Sequence, residues 1–173
     1  MTPEFSRIER VDTIGERDRA IDLVADAAER AALARRFGLL AIDRLEAALT
    51  VRRAGEAIAV AGTVTAAVVQ ACSVTGAPLP IAIDEPVALR FVAALEIGEE
   101  IELGEDALDD IEIEDGGIDL GEAAAETMAL ALDPFPRGPD APAALKLAGV
   151  LSEDEVGAFS ALAEGLKAKL GKL

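Results

Sequence analysis

A chain of 173 residues, 51% hydrophobic but only 3% aromatic, is long enough for one domain whose core is built from small aliphatic side chains. It has no histidine and one cysteine, Cys72, which removes the commonest general base, every Ser-His or Cys-His nucleophile pair, an internal disulfide and a thiolate metal cluster. A net charge of −17 disfavours nonspecific binding to nucleic acid, DNA included, because acids repel phosphates and attract basic partners over about 8–10 Å at physiological salt.

The charge is unevenly placed. Residues 1–60 carry ten Lys/Arg against eleven Asp/Glu, and residues 61–145 carry only Arg90 and Arg137 against eighteen acids. The last 28 residues balance at four against four. No uninterrupted apolar stretch of about 18 residues is present, so no membrane partner is expected. Met1 to Arg10 is charged and lacks an apolar signal segment, which predicts a cytoplasmic protein.

Arg7, Arg10, Arg17 and Arg19 fall in what reads as an N-terminal arm. Ala20 to Asp26 alternates as a short strand. A helix follows from about Ala27 to Phe37, with Asp26 as N-cap, Arg35 and Arg36 suiting its C-terminal dipole, and Gly38 as its stop. From Ile42 the period becomes two, with Leu45, Ala47, Leu49 and Val51 on one face and Arg44, Glu46, Thr50 and Arg52 on the other. A turn at Gly55 leads into a strand through Ile58, Val60, Val64, Ala66 and Val68 towards Cys72. Gly76-Ala77-Pro78 breaks it, and Ile81, Ile83, Val87, Leu89 and Phe91 continue the pattern, with Pro86 at an edge or a bulge.

Glu96 to Glu126 holds fourteen acids and no base, interleaved with Ile97, Ile101, Leu103, Leu108, Ile111 and Ile113. It reads as a solvated loop with one short edge strand around Asp110 to Glu114, or as a docking surface for a basic protein. Gly121 to Leu132 is helical in pattern, and Pro134 and Pro136 end it. The Asp133 to Pro142 segment is a proline-rich loop. A capping box at Ser152 to Glu155 opens a C-terminal helix over about 153–170, with Val156, Phe159, Leu162, Leu166 and Leu170 as its apolar stripe. With short connections between strands, the fold class is α+β: an antiparallel sheet, open or curved towards a barrel, packed with two to three helices in a single domain.

The stretch Val69-Gln70-Ala71-Cys72-Ser73-Val74-Thr75-Gly76-Ala77-Pro78, followed by Ile83-Asp84-Glu85-Pro86 and Leu89-Arg90-Phe91, resembles the core signature of the YceD family, particularly its alphaproteobacterial branch. The helix Ala27 to Ala34, the run Ile118 to Glu126, Leu130 to Arg137 and Ala158 to Leu162 agree in order and spacing. The resemblance marks Gln70, Cys72, Val74, Pro78, Leu89, Arg90, Phe91, Asp119, Glu126 and Pro134 as structural motif positions. It implies a protein needed for large-subunit ribosomal RNA to accumulate, without an established reaction. Some relatives carry a Cys-x-x-Cys here and further Cys or His near the proline-rich segment, in the manner of a zinc site. This chain has Thr75 in place of the second Cys and neither residue in Asp133 to Pro142, so no metal and no other cofactor is expected.

Cys72 continues the alternation of Val64, Ala66 and Val68 and has no basic neighbour to activate it, so a buried structural role is expected. Asp119, Glu122 and Glu126 could serve as general acid and base or bind a divalent cation, but no flanking ligand or loop pattern supports that, and a solvated helix face is the plainer reading. A carboxylate-based hydrolase is the remote alternative, with no histidine, phosphate-cradling glycine loop or nucleophile motif behind it. The leading expectation is a non-enzymatic ribosome-biogenesis factor. Its acids Glu99, Glu100, Glu102, Glu105, Asp106, Asp109 and Asp110 would dock a basic ribosomal protein or assembly factor. The alternative is direct contact with large-subunit ribosomal RNA through Arg7, Arg10, Arg30, Arg35, Arg36, Arg52 and Arg53.

Overall fold

A computed structural model of the chain describes residues 4–93, 110–113 and 115–150. The expected C-terminal helix over 153–170 and acids 99–109 lie outside them. The chain divides into two compact units, Met1–Gln70 with Pro78–Pro134, and Ala71–Ala77 with Phe135–Leu173.

In the first unit, three long strands form the frame: β3 (Ala41–Ala54), β4 (Ala57–Ala71) and β5 (Pro78–Ala93). The edges of this sheet are β2 (Arg19–Val24) and β6 (Asp110–Ile113), in the order β2-β3-β4-β5-β6. A two-stranded sheet pairs β1 (Ile8–Arg10) antiparallel with β7 (Gly117–Asp119). The helices of this unit are α1 (Ala27–Arg36) and α2 (Leu120–Leu130).

Period-two patterning sets the inner face. Leu45, Ala47, Leu49 and Val51 on β3 meet Ile58, Val60, Val64, Ala66 and Val68 on β4, all buried. A bulge between Ile42 and Arg44 shifts the register by one residue, so that Ile42 joins the same buried face as Leu45. The β3–β4 hairpin closes on the pair Ala54 and Ala57, with Gly55 at φ +67° supplying a turn conformation that a Cβ would oppose. From β5, Ile83, Val87 and Phe91 point inward.

The expected α+β class holds, with one correction to the sheet. It is open and mixed, because β6 runs parallel to β5 over Arg90–Ala93 and Asp110–Ile113. A parallel neighbour needs a crossover connection, and the sequence between the two strands is long enough for one. Reading short connections throughout missed this. Pro86 sits in β5 outside the four residues that pair with β6, so its missing N–H costs that ladder nothing.

Two further segments differ from the sequence expectation. The N-terminal stretch is no free arm: Phe5 and Ile14 are buried in the core, and β1 with a 3-10 turn at Val11–Thr13 joins them. In the second unit, the proline-rich segment ends in a short helix, α3 (Ala141–Leu147), with Pro142 in its first turn, where a missing N–H is harmless.

Candidate functional site

Helix α1 begins with a complete capping box. Asp26 Oδ1 accepts from Ala28 N at 2.7 Å and Glu29 N at 2.9 Å, while Glu29 Oε2 accepts from Asp26 N at 2.7 Å. These N–H groups hold the Asp26 carboxyl below its ordinary range, Glu29 N first. Arg7 then clamps the outer side of Glu29, donating to Oε1 at 2.7 Å and Oε2 at 3.1 Å and lowering the Glu29 pKa.

The other arginines expected to face RNA, and Arg19 beside them in sequence, are placed as follows. Arg10 forms a two-point bond with Asp12, and Arg19 pairs with Glu9. Arg36 donates to both oxygens of Glu122, at 2.9 and 2.5 Å, and to Glu4 at 3.1 Å. Arg52 stands 3.7 Å from Asp18. Arg53 is turned onto main-chain carbonyls, Ile14 O at 3.1 Å and Val11 O at 2.6 Å, and so ties the N-terminal stretch to the end of β3. Arg30 donates to Ala25 O at 2.6 Å. Arg35 is exposed, with no hydrogen bond or ion pair among the described residues. The structure therefore brings Arg30 and Arg35 together on one helix and spends the others within the fold.

Of the expected acidic docking residues, only Asp110 is described. It lies on β6 with Oδ1 3.4 Å from Arg90 Nη1, which gives a reason for an arginine at that motif position.

Asp119, one of the motif positions, caps α2 through Gly121 N at 3.0 Å and Glu122 N at 3.1 Å. It also accepts from Ser6 Oγ at 2.5 Å and Arg7 N at 2.7 Å, which pins the N-terminal stretch to the helix. Gly121 completes that junction: a Cβ there would lie 2.5 Å from Phe5 O. Asp119 and Glu122 are thus occupied by a cap and an ion pair, and Glu126 is exposed on α2. Gln70, 7% exposed at the end of β4, donates to Asp133 O at 2.9 Å, tying the strand to the segment after α2, and Phe91 is core.

In the second unit, Cys72 follows β4 rather than belonging to it, and it is buried as expected. Its Sγ accepts from Gly138 N at 3.3 Å. That N–H, then the Thr75 hydroxyl and the N–H groups of Thr75 and Val74, push the thiol down to about 6. The expectation that nothing nearby would acidify it is corrected here. It looked for basic side chains, whereas oriented backbone N–H groups supply the positive potential. The turn residues Thr75 and Gly76 were the available signal: Gly76 takes φ +72° and its N–H bonds back to Cys72 O at 2.8 Å.

Among the described residues, no group of three or more His, Cys, Asp or Glu side chains could hold a metal ion, and no helix is long and apolar enough to cross a membrane. The class these features define is an α+β protein with an open mixed sheet, whose charged side chains serve caps, clamps and surface pairs. The family model described as Large ribosomal RNA subunit accumulation protein YceD matches residues 60–163, more than half of the 173-residue chain, and the chain belongs to the YceD family. No curated protein and no solved structure matches it. The family name places the chain among factors for accumulation of large-subunit ribosomal RNA.

Proposed function

We propose that this chain supports accumulation of large-subunit ribosomal RNA as a non-enzymatic cytoplasmic binding factor, using its acidic middle segment to hold a basic ribosomal protein or assembly intermediate. The observation that carries this reading is where the charge goes. Arg7, Arg10, Arg19, Arg36, Arg44, Arg52 and Arg90 each have a carboxylate partner within the fold. The first 60 residues therefore nearly neutralise themselves, ten bases against eleven acids, and all but one unit of the −17 rests on residues 61–145, two bases against eighteen acids. A concentrated surplus of one sign speeds encounter with a partner of the other sign.

RNA contact through the arginines is less well supported, because Arg7, Arg10, Arg36, Arg52 and Arg53 already have internal partners. A carboxylate hydrolase has less support still, since Asp119 and Glu122 are committed to a cap and an ion pair. The test is capture of purified basic ribosomal proteins on the immobilised full chain at about 50 and about 500 mM salt. Binding should be strong at low salt, lost at high salt, and absent when Glu99, Glu100, Glu102, Glu105, Asp106 and Asp109 are changed to their amides. Capture that ignores both salt and the amide substitutions would refute the reading, as would no capture.

A further inference from the structure

Helix α1 ends in a Schellman turn: Leu39 N bonds to Ala34 O at 2.8 Å and Gly38 N to Arg35 O at 3.4 Å, with Gly38 at φ +67°. The chain then doubles back along the helix into β3. The helix face it passes carries Ala27, Ala31 and Ala34, side chains too short to fill the space between the two elements. A groove of about 300 Å³ remains, floored by Leu39, Leu40 and Ile42. Leu40 is 54% exposed within it.

Arg30 and Arg35 line the same groove. At 100° per residue, they flank the alanine stripe on opposite sides. The Arg30 side chain hydrogen-bonds only a main-chain carbonyl, and the Arg35 side chain has no hydrogen bond or ion pair among the described residues. Arg35, which has no carboxylate partner among the described residues, and Arg30, which feels the charge of Asp26 but is hydrogen-bonded by no carboxylate, leave positive charge beside an apolar floor on a chain of net charge −17.

We infer that this groove docks a short acidic–aliphatic segment of a partner protein, an aliphatic side chain entering between the alanines and Leu40 while flanking carboxylates meet Arg30 and Arg35. Charge complementarity selects carboxylate or phosphate. The floor decides between them, since Leu39, Leu40 and Ile42 match an aliphatic side chain and include no aromatic ring for a base to stack on. A polyphosphate chain would also meet the repulsion of the whole molecule along its length, whereas a short peptide with two or three carboxylates meets mainly the local field. The surface is distinct from the acidic segment of the proposed function and takes ligands of opposite sign, so either can fail alone.

The test is fluorescence anisotropy of the full chain with a labelled peptide carrying Asp-Leu-Glu-Leu-Asp in a Gly/Ser frame. Its controls are the same peptide with both leucines changed to serine and a single-stranded RNA of equal charge. Saturable binding is expected, weakened about tenfold by Arg35→Glu, because reversal replaces one exposed attraction with a repulsion. Arg17→Glu, which makes the same charge change at an exposed site outside the groove, should alter binding less than about twofold. Ala31→Leu fills the groove with a good helix former and should abolish binding without changing charge. The inference is overturned by no binding, by equal binding of the serine peptide, by equal losses from Arg17→Glu and Arg35→Glu, or by RNA that binds more tightly and is displaced by Ala31→Leu.

Discussion

Cys72 and Asp119 are both single side chains that collect backbone N–H groups, and both carry predictions. The Cys72 thiol is lowered from an ordinary 9.0 to about 6, chiefly by Gly138 N, so its folded pKa lies below its unfolded one. A lowered acid stabilises the fold fully above the unfolded value and loses that contribution as pH falls through the folded value. Relative to Cys72→Ala, the native chain should therefore gain stability from about pH 6 to about pH 9 and show no further gain above that range. Thiolate absorbance should titrate near 6 in native protein and near 9 in denaturant, and a native midpoint near 9 would contradict stabilisation of the thiolate by these N–H groups. Being 3% exposed, the thiolate should still react slowly with bulky thiol reagents. Asp119 holds four donors from two segments. Asp119→Ala should cost about 2–3 kcal/mol in denaturant unfolding, more than an ordinary cap, because Ser6 and Arg7 lose their acceptor as well. Neither role was legible from residue type alone. The resemblance marks both as structural motif positions without giving their partners, because backbone donors leave no mark in side-chain composition.

At the level of elements, legibility followed burial pattern. The faces of β3 and β4 could be read because each alternates strictly, and α1 because Asp26, Arg35, Arg36 and Gly38 mark both its ends. The N-terminal stretch was missed because Phe5 and Ile14 are isolated apolar residues among charges, with no period to reveal them. The parallel pairing of β6 depends on a long-range partner that no local pattern encodes. Gly62, inside β4, sits at φ +155° where a Cβ would lie 2.1 Å from Ala48 O, a close approach that the alternation of its neighbours does not reveal. Gly62→Ala should push β3 and β4 apart and cost about 3 kcal/mol, with Gly121→Ala costing about 1–3 kcal/mol at the contact with Phe5 O. Unfolding free energies from urea titration within about 0.5 kcal/mol of the parent would show that neither approach is tight. Between helices, the two-point bond of Arg36 to Glu122 joins α1 to α2. Both partners are partly exposed, so a double-mutant cycle should return only about 0.5–1 kcal/mol of coupling.

For the whole molecule, the balance is between paired charges that salt weakens and a surplus that salt relieves. The pairs of Arg10, Arg44 and Arg52 are largely exposed and individually worth little. The surplus of −17 acts throughout the folded state, and folding brings its acids closer together than they stand in the extended chain. The second effect should win. Raising sodium chloride from about 20 to about 300 mM at fixed pH should therefore stabilise the protein by about 1–2 kcal/mol, or roughly 2–6 °C in Tm. Choline chloride should do the same, because screening depends on ionic strength rather than on a bound cation. A sodium-specific rise would point to a discrete cation site among the acids, and a fall in Tm would mean that the arginine pairs contribute more to the fold than their exposure allows.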